Sequence, residues 1–306
     1  MRKTRPKTVL PEPRPESNRR RRFLSTRGAR PRRDPTATIR AMSLCGDDAV
    51  TLERRLGRSD VVEVWSATLA DLGRCVVKFP AARWSGHAGA ARLIERELEF
   101  LRRAAHAGVV EALDLVPMRT GPGLVMEYLP GGDLVALAGS HPKHWAGPAR
   151  DVVRSLAHVH GCGIVHGDVK PRNVLLDAGG HAKLIDFGLA RDAGSTSRAG
   201  GGTPAYQCSA QWQGAPADPA HDTHALAVMT YELLCGRLPF GSAPDARALE
   251  TPPVPPLELH PAYEGEPVLV ELAALIEMLL TAKADVHDRP LDALEALLGA
   301  IIAVHD

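Results

Sequence analysis

HGDVKPRNVLLDAGGHAKLIDFG, residues 166–188, is the stretch on which the reading of the chain turns. It sets a carboxylate (Asp168), an ammonium (Lys170) and an amide (Asn173) within six positions, and a second carboxylate, Asp186, follows 13 residues after the asparagine. Moving a phosphoryl group needs little covalent help from a protein. It needs cations on the phosphates and a group placed at the attacking hydroxyl. Asp168 has the chemistry to accept or orient the hydroxyl proton, and Lys170 can neutralise charge on the transferred group. Asn173 and Asp186 offer the oxygen ligands that Mg²⁺ prefers. A glycine, Gly167, sits between His166 and Asp168.

Upstream, short β-type runs surround one charged helix. VVEVWSAT (61–68), RCVVKF (74–79) and GLVMEYL (123–129) read as strands, and ARLIERELEFLRRAA (91–105) as an amphipathic helix with Leu93, Ile94, Leu98 and Leu101 near helical spacing. After PGGDL (130–134) the pattern turns helical: ARDVVRSLAHVHG (149–161), DTHALAVMTYELLCG (222–236), a stretch over about 266–282, and LDALEALLGAIIAVH (291–305). A β-rich part followed by an α-rich part, joined near 127–132, predicts a cleft between two lobes, a common place for a ligand.

The chain has 306 residues, 44% of them hydrophobic, enough to bury a sizeable core. Its net charge of +1 hides an asymmetry: residues 1–41 carry 14 Lys+Arg against 3 Asp+Glu, which leaves 23 against 33 in the rest. Residues 1–45 mix Arg, Lys and Pro without apolar periodicity and are expected to be a disordered basic tail. The RRRR block at 19–22 could touch nucleic acid or an acidic membrane surface, but a solvated tail, or translated sequence ahead of a start at Met42, is the plainer reading. Five scattered cysteines with no C-x-x-C pair argue against a disulfide framework or a cysteine zinc site and fit a reducing compartment. The longest apolar run, PVLVELAALIEMLL, is broken by Glu271 and Glu277, so no membrane span is expected. The thirteen histidines form no H-E-x-x-H, and HPKH at 141–144 reads as a surface loop. Ala- and Arg-rich composition leans toward a bacterial, cytoplasmic protein. Because the chain stops at Asp306, soon after its last helix, regulatory input is expected from a partner or from the tail.

Over about residues 52–300 the chain resembles the eukaryotic-type (bacterial Hanks-type) serine/threonine protein kinases, with the motifs in the family's order. The resemblance implies a bilobal α+β fold within residues 46–305: a small β-rich N-lobe with one helix (about 50–128) and a larger, mainly α-helical C-lobe (about 132–304). It implies ATP with Mg²⁺ or Mn²⁺ as cofactors and a protein substrate bearing Ser or Thr. Lys78, in VVK, would hold the α- and β-phosphates, and Glu97, 19 residues on, would pair with it, with Glu95 and Glu99 as alternatives. Gly57 and Ser59 belong to the phosphate-covering loop. Met126 would guard the back of the nucleotide pocket, the backbone of Glu127 and Leu129 would meet adenine, and Asp133 the ribose. Leu56, Val64, Val76 and Leu175 would sandwich the base, though each is equally explained as strand core. Thr203, in GTPAY, would contact Asp168 and Lys170, and Asp222 would brace the catalytic loop, its plain alternative being a helix cap. His166 is expected to brace backbone. ELLCGRLPF (232–240) and HDRP (287–290) complete the pattern.

Four features depart from it. In GRSDVVEV (57–64) Ser59 and Val62 replace the second and third glycines of the phosphate loop, although Ser59 could still donate through its backbone and hydroxyl. Gly167 replaces the arginine of H-R-D, so a phosphate on Ser195, Thr196 or Ser197 lacks its usual charge partner. CSA (208–210) replaces A-P-E, placing Ala210 where a glutamate would pair with Arg289. The AGGG run at 199–202 favours a mobile loop. A pseudokinase that binds nucleotide or partners with little transfer is therefore the alternative, and a small-molecule phosphotransferase, suggested by the glycine of HGD, a minor one. Oligomeric state is left open.

Overall fold

The computed structural model describes residues 50–196, 201–244, 251–259, 263, 265–281 and 290–305. The expected basic tail, Ser197, the first half of the AGGG run (199–200) and Arg289 lie outside the described residues.

The small lobe is a five-stranded antiparallel sheet: β1 (Thr51–Arg58), β2 (Val62–Leu69), β3 (Gly73–Pro80), β4 (Ala112–Met118) and β5 (Gly121–Glu127), in the order β1-β2-β3-β5-β4. One helix, α1 (Ala88–Arg103), packs on it. Cross-strand partners share a face, so the register Val64↔Lys78, Val76↔Met126 and Lys78↔Leu124 lines those side chains up on one side of the sheet. The opposite side closes over its own small core of Leu52, Ala67, Cys75, Val77, Phe79 and Val125. Of the apolar positions expected on the buried face of α1, Ile94, Leu98 and Leu101 are buried while Leu93 is exposed. Each buried leucine or isoleucine contributes roughly 1.5–3 kcal/mol. β1 carries too many charged and exposed residues to announce itself, and Pro117 interrupts the run of β4; both are edge strands, where polar side chains and proline are tolerated.

The large lobe is helical: α2 (Ala146–Gly161), α3 (Ser209–Trp212), α4 (Pro219–Cys235), α5 (Pro256–Leu259), α6 (Pro267–Thr281) and α7 (Pro290–His305), with short strand pairs β6 (Ile164–Val165)–β9 (Arg191–Asp192) and β7 (Val174–Leu176)–β8 (Ala182–Leu184). α4 is buried almost all round, as expected of a helix at the centre of a lobe. It starts three residues before the sequence pattern suggests, because Asp218 caps it: its Oδ1 accepts the Ala220 N–H at 2.8 Å, and Pro219 occupies the first turn. The two-lobed α+β architecture is the one the motifs implied. No helix among the described residues is long and apolar enough to cross a membrane.

Candidate active site

Strand β3 carries Lys78 to the heart of the small lobe, and α1 brings Glu97 to it. Nζ donates to both carboxylate oxygens, at 2.8 and 2.7 Å, and to Asp186 Oδ1 at 2.6 Å. Glu97 is buried, whereas Glu95 and Glu99 point to solvent. Burial works against the Lys78 ammonium, but the Glu97 and Asp186 carboxylates outweigh it and hold its pKa above the ordinary lysine value. Burial pushes Glu97 upward, and the Lys78 charge offsets part of that. The Lys78 ammonium lowers Asp186 to about 2. Asp186 is the one non-glycine among the described residues with positive φ, 64°, a strained conformation of the kind found at functional sites. Next to it Phe187 turns inward, its ring 4.8 Å from that of His166. A Cβ on Gly188 would sit 3.2 Å from Asp186 Oδ1 and 3.4 Å from Lys78 Nζ, a tight fit that would press on the pair.

Asp168 organises the other half. Its Oδ1 accepts the Thr203 N–H (3.0 Å) and hydroxyl (2.9 Å), and its Oδ2 accepts Lys170 Nζ (2.5 Å) and Asn173 Nδ2 (2.9 Å). Lys170 also reaches Thr203 Oγ1 at 2.6 Å, and Asn173 Nδ2 the Asp168 carbonyl at 2.8 Å. The loop hangs from α4: Asp222 accepts the N–H of His166 (2.7 Å) and of Gly167 (2.8 Å), and His160 Nε2 lies 2.9 Å from it. Asp222 is thus interior to its helix and no cap; Asp218 has that role. Burial alone raises the Asp222 carboxyl, but the His160 bond and charge, helped by the Gly167 N–H, prevail and lower it. His166 braces backbone, its Nε2 meeting the Ile185 carbonyl at 3.0 Å and its Nδ1 the Asp168 N–H at 3.3 Å.

The expected nucleotide-pocket residues divide. Val64, Val76 and Met126 share the face of the sheet that bears Lys78, and Leu175 lies on β7, bridged to Asp133. Leu56 is displaced at an irregularity of β1 and is 42% exposed, not strand core. Gly57 pairs with Val64. Ser59 differs from expectation: its N–H donates to Val62 O (2.9 Å), and its hydroxyl oxygen accepts the N–H groups of Val61 (3.2 Å) and Val62 (3.1 Å), so its polar groups are committed to closing the turn. The Glu127 N–H is used by Glu111 O (3.1 Å), and Leu129 is buried at the joint. Asp133 caps a short turn by accepting the Val135 N–H at 3.1 Å. The Glu127 side chain has a role its sequence position did not announce: it accepts Lys183 Nζ at 2.7 Å and the Glu111 N–H at 2.8 Å, clamping β5 to β8 across the lobes.

Gly167 has φ of +82°, and a Cβ there would stand 2.9 Å from the Leu189 carbonyl oxygen. The segment after Asp186 is anchored without it: Arg103 pairs with Asp192 at 2.7 Å, Arg96 donates to Ala190 O at 3.2 Å, and β9 pairs with β6. Restoring the arginine by Gly167→Arg is accordingly expected to destabilise the domain by about 1–3 kcal/mol. An unchanged urea midpoint would contradict that. Ala210 lies in the first turn of α3, where Cys208 N–H donates to Gln211 Oε1 at 3.0 Å, so α3 begins on a cap in place of an ion pair.

The donor set fits a hard divalent cation. Asp186 stays ionised, only its Oδ1 is taken by Lys78, and Asn173 turns its Nδ2 to Asp168 and keeps its carbonyl oxygen for another partner. Three carboxylates (Glu97, Asp168, Asp186) against two ammonium groups (Lys78, Lys170) leave the cluster at −1, which also favours a cation.

The protein kinase domain family matches residues 50–258. Serine/threonine-protein kinase pkn2 of Myxococcus xanthus is 34% identical over 278 residues, 86% of this chain and 33% of its own length. The DNA damage-responsive serine/threonine-protein kinase RqkA of Deinococcus radiodurans is 34% identical over 246 residues, 75% of this chain and 36% of its own. CBL-interacting protein kinase 4 of Oryza sativa subsp. japonica is 37% identical over 204 residues, 62% of this chain and 45% of its own. The chain thus spans about a third of the length of the two bacterial relatives. With a family match over two thirds of its residues, and with these motifs meeting in one cleft, the chain belongs to the protein kinase domain family.

Proposed function

We propose that the protein is a serine/threonine protein kinase, moving the γ-phosphoryl group of ATP to a Ser or Thr hydroxyl of a protein. The observation that carries the reading is the meeting of two clusters separated in sequence, Lys78–Glu97–Asp186 and Asp168–Lys170–Asn173–Thr203, which Ile185, next to Asp186, joins by donating its N–H to the backbone carbonyl of Asn173 at 2.9 Å and accepting from His166 at 3.0 Å. ATP would supply the phosphoryl group, and Asn173 and Asp186 would hold the Mg²⁺ or Mn²⁺ that supplies counter-charge. Lys78, fixed by Glu97, presents one oriented ammonium to the phosphates. Asp168 receives the proton of the substrate hydroxyl, and its carboxylate is aimed by Thr203 and Asn173. Lys170, between Asp168 and Thr203, meets charge developing on the transferred group. Met126, Val64, Val76, Leu56 and Leu175 would exclude water around the base, with the Glu127 carbonyl and the Leu129 N–H as its polar partners, Asp133 at the ribose and Gly57 over the phosphates. The kinase names of the relatives at 34% identity support the Ser/Thr assignment.

A nucleotide-binding module with little transfer is the second reading, favoured by the Ser59 turn, which uses amides that would otherwise face phosphates. Incubation with labelled ATP and Mg²⁺ or Mn²⁺, followed by phosphosite mapping on the protein itself and on a generic basic protein, separates the two. Label on serine and threonine is the expected result; nucleotide binding without any label would establish the second.

A further inference from the structure

The HPKH segment, read from sequence as a surface loop, lies beside two residues from the far end of the chain. His141 precedes the short turn Pro142–His144. Glu266 sits at the start of α6, where its carbonyl accepts the Leu269 and Val270 N–H groups at 2.9 and 3.1 Å, and His305 is in the last turn of α7. One ligand atom from each of the three falls within 4.8 Å of the others. The His305 ring stands edge-on to that of His141, centroids 4.9 Å apart.

Two of these atoms are in an unusual state. His305 Nε2 and Glu266 Oε2 lie 3.5 Å apart, both shielded from solvent, and neither makes a hydrogen bond among the described residues. A buried polar atom without a partner is costly, and two side by side ask for something between them. Their separation is close to the edge of a ligand tetrahedron, roughly 3.3 Å for metal bonds of about 2.0–2.1 Å. His141 is exposed, and its Nδ1 accepts the Lys143 N–H at 3.4 Å, which leaves Nε2 to meet an ion.

We infer that His141, Glu266 and His305 form a site for Zn²⁺, apart from the catalytic cleft. Two imidazoles and a carboxylate are a zinc donor set, whereas the all-oxygen pair Asn173–Asp186 suits Mg²⁺; the two sites sort the two metals by ligand softness. Three protein ligands leave a fourth position for water. Because the ligands come from three elements, the ion fastens the start of α6, the end of α7 and the turn ahead of α2, and its binding energy adds to the stability of the large lobe.

The test uses the full chain, stripped with a chelator and held in excess Mg²⁺ so that the cleft is occupied, then titrated with ZnCl₂ against a chromogenic competitor. One Zn²⁺ per chain is expected, with a melting temperature raised by roughly 5–10 °C at a hundredfold excess over Kd. His141→Ala, at an exposed position, should weaken binding at least tenfold, and Glu266→Gln should do the same. Absence of stoichiometric binding overturns the site and leaves a His305–Glu266 ion pair. Binding that survives both substitutions also overturns it, by placing the ion on other histidines.

Discussion

Asp168→Asn is expected to slow phosphoryl transfer by roughly 10²–10⁴-fold while the protein stays folded and still binds nucleotide. The reason lies in the four donors that converge on this carboxylate. Thr203 gives two hydrogen bonds to Oδ1, and Lys170 and Asn173 give one each to Oδ2. An asparagine has nearly the same shape but can accept on one side only, so its NH₂ must face either Thr203 or the Lys170–Asn173 pair, donor against donor. The proton acceptor is lost, Lys170 loses the carboxylate that aims it, and the Thr203 end of the substrate loop comes loose. Single-turnover transfer to a Ser/Thr peptide, alongside nucleotide affinity by fluorescence, checks this. A rate within threefold of the parent would remove Asp168 from the reaction, and an equal loss of nucleotide affinity would move it to binding.

Lys78→Met should produce the largest loss of stability. It strands Glu97, buried on α1, without its cation, and leaves Asp186 beside it as a second carboxylate. Breaking a buried ion pair from one side costs about 3–5 kcal/mol. At about 2–4 °C per kcal/mol for a domain of this size, that is roughly 6–20 °C in melting temperature. Adding Glu97→Leu removes the stranded charge, so the double variant should recover most of the stability and none of the transfer. A single variant melting within about 1 °C of the parent would mean that the pair contributes nothing. The effect also has a pH signature. Asp186 is depressed to about 2 by Lys78, so its contribution is present above the ordinary aspartate value of about 3.9 and is lost as pH falls toward 2. The gap between parent and Lys78→Met should therefore narrow below about pH 4.

Much of the molecule was legible because its signals are local. The strands around Lys78 and the helix bearing Glu97 follow from hydrophobic period, while the choice of Glu97 over Glu95 and Glu99 rests on the family's 19-residue step, over which the Lys78–Glu97 pair forms. β1 escaped because an edge strand with charged residues lacks the alternation that a half-buried strand shows, and β4 because Pro117 falls within its run. Ser59 was misjudged for a different reason: whether a hydroxyl faces a ligand or its own turn depends on backbone geometry that residue type does not specify. Glu127 holds Lys183, 56 positions away, and Asp222 collects donors from His160, His166 and Gly167, 55–62 positions back. The Asp222 brace was implied by the family resemblance, whereas no spacing rule in the chain announces the Glu127–Lys183 pairing, which is set by how the elements pack. The grouping of His141 with Glu266 and His305 is the extreme case, since each histidine taken singly reads as surface.

The suspension of the catalytic loop from Asp222 has a consequence for how the two lobes share labour. The amides of His166 and Gly167 are tied to the most enclosed helix of the large lobe, while Lys78 and Glu97 belong wholly to the small one. Lys78 reaches across to Asp186, so a displacement of the small lobe would be felt at Asp186 before it reached the suspended amides of His166 and Gly167. The acceptor end behaves as a fixed anvil and the donor end as the moving hammer.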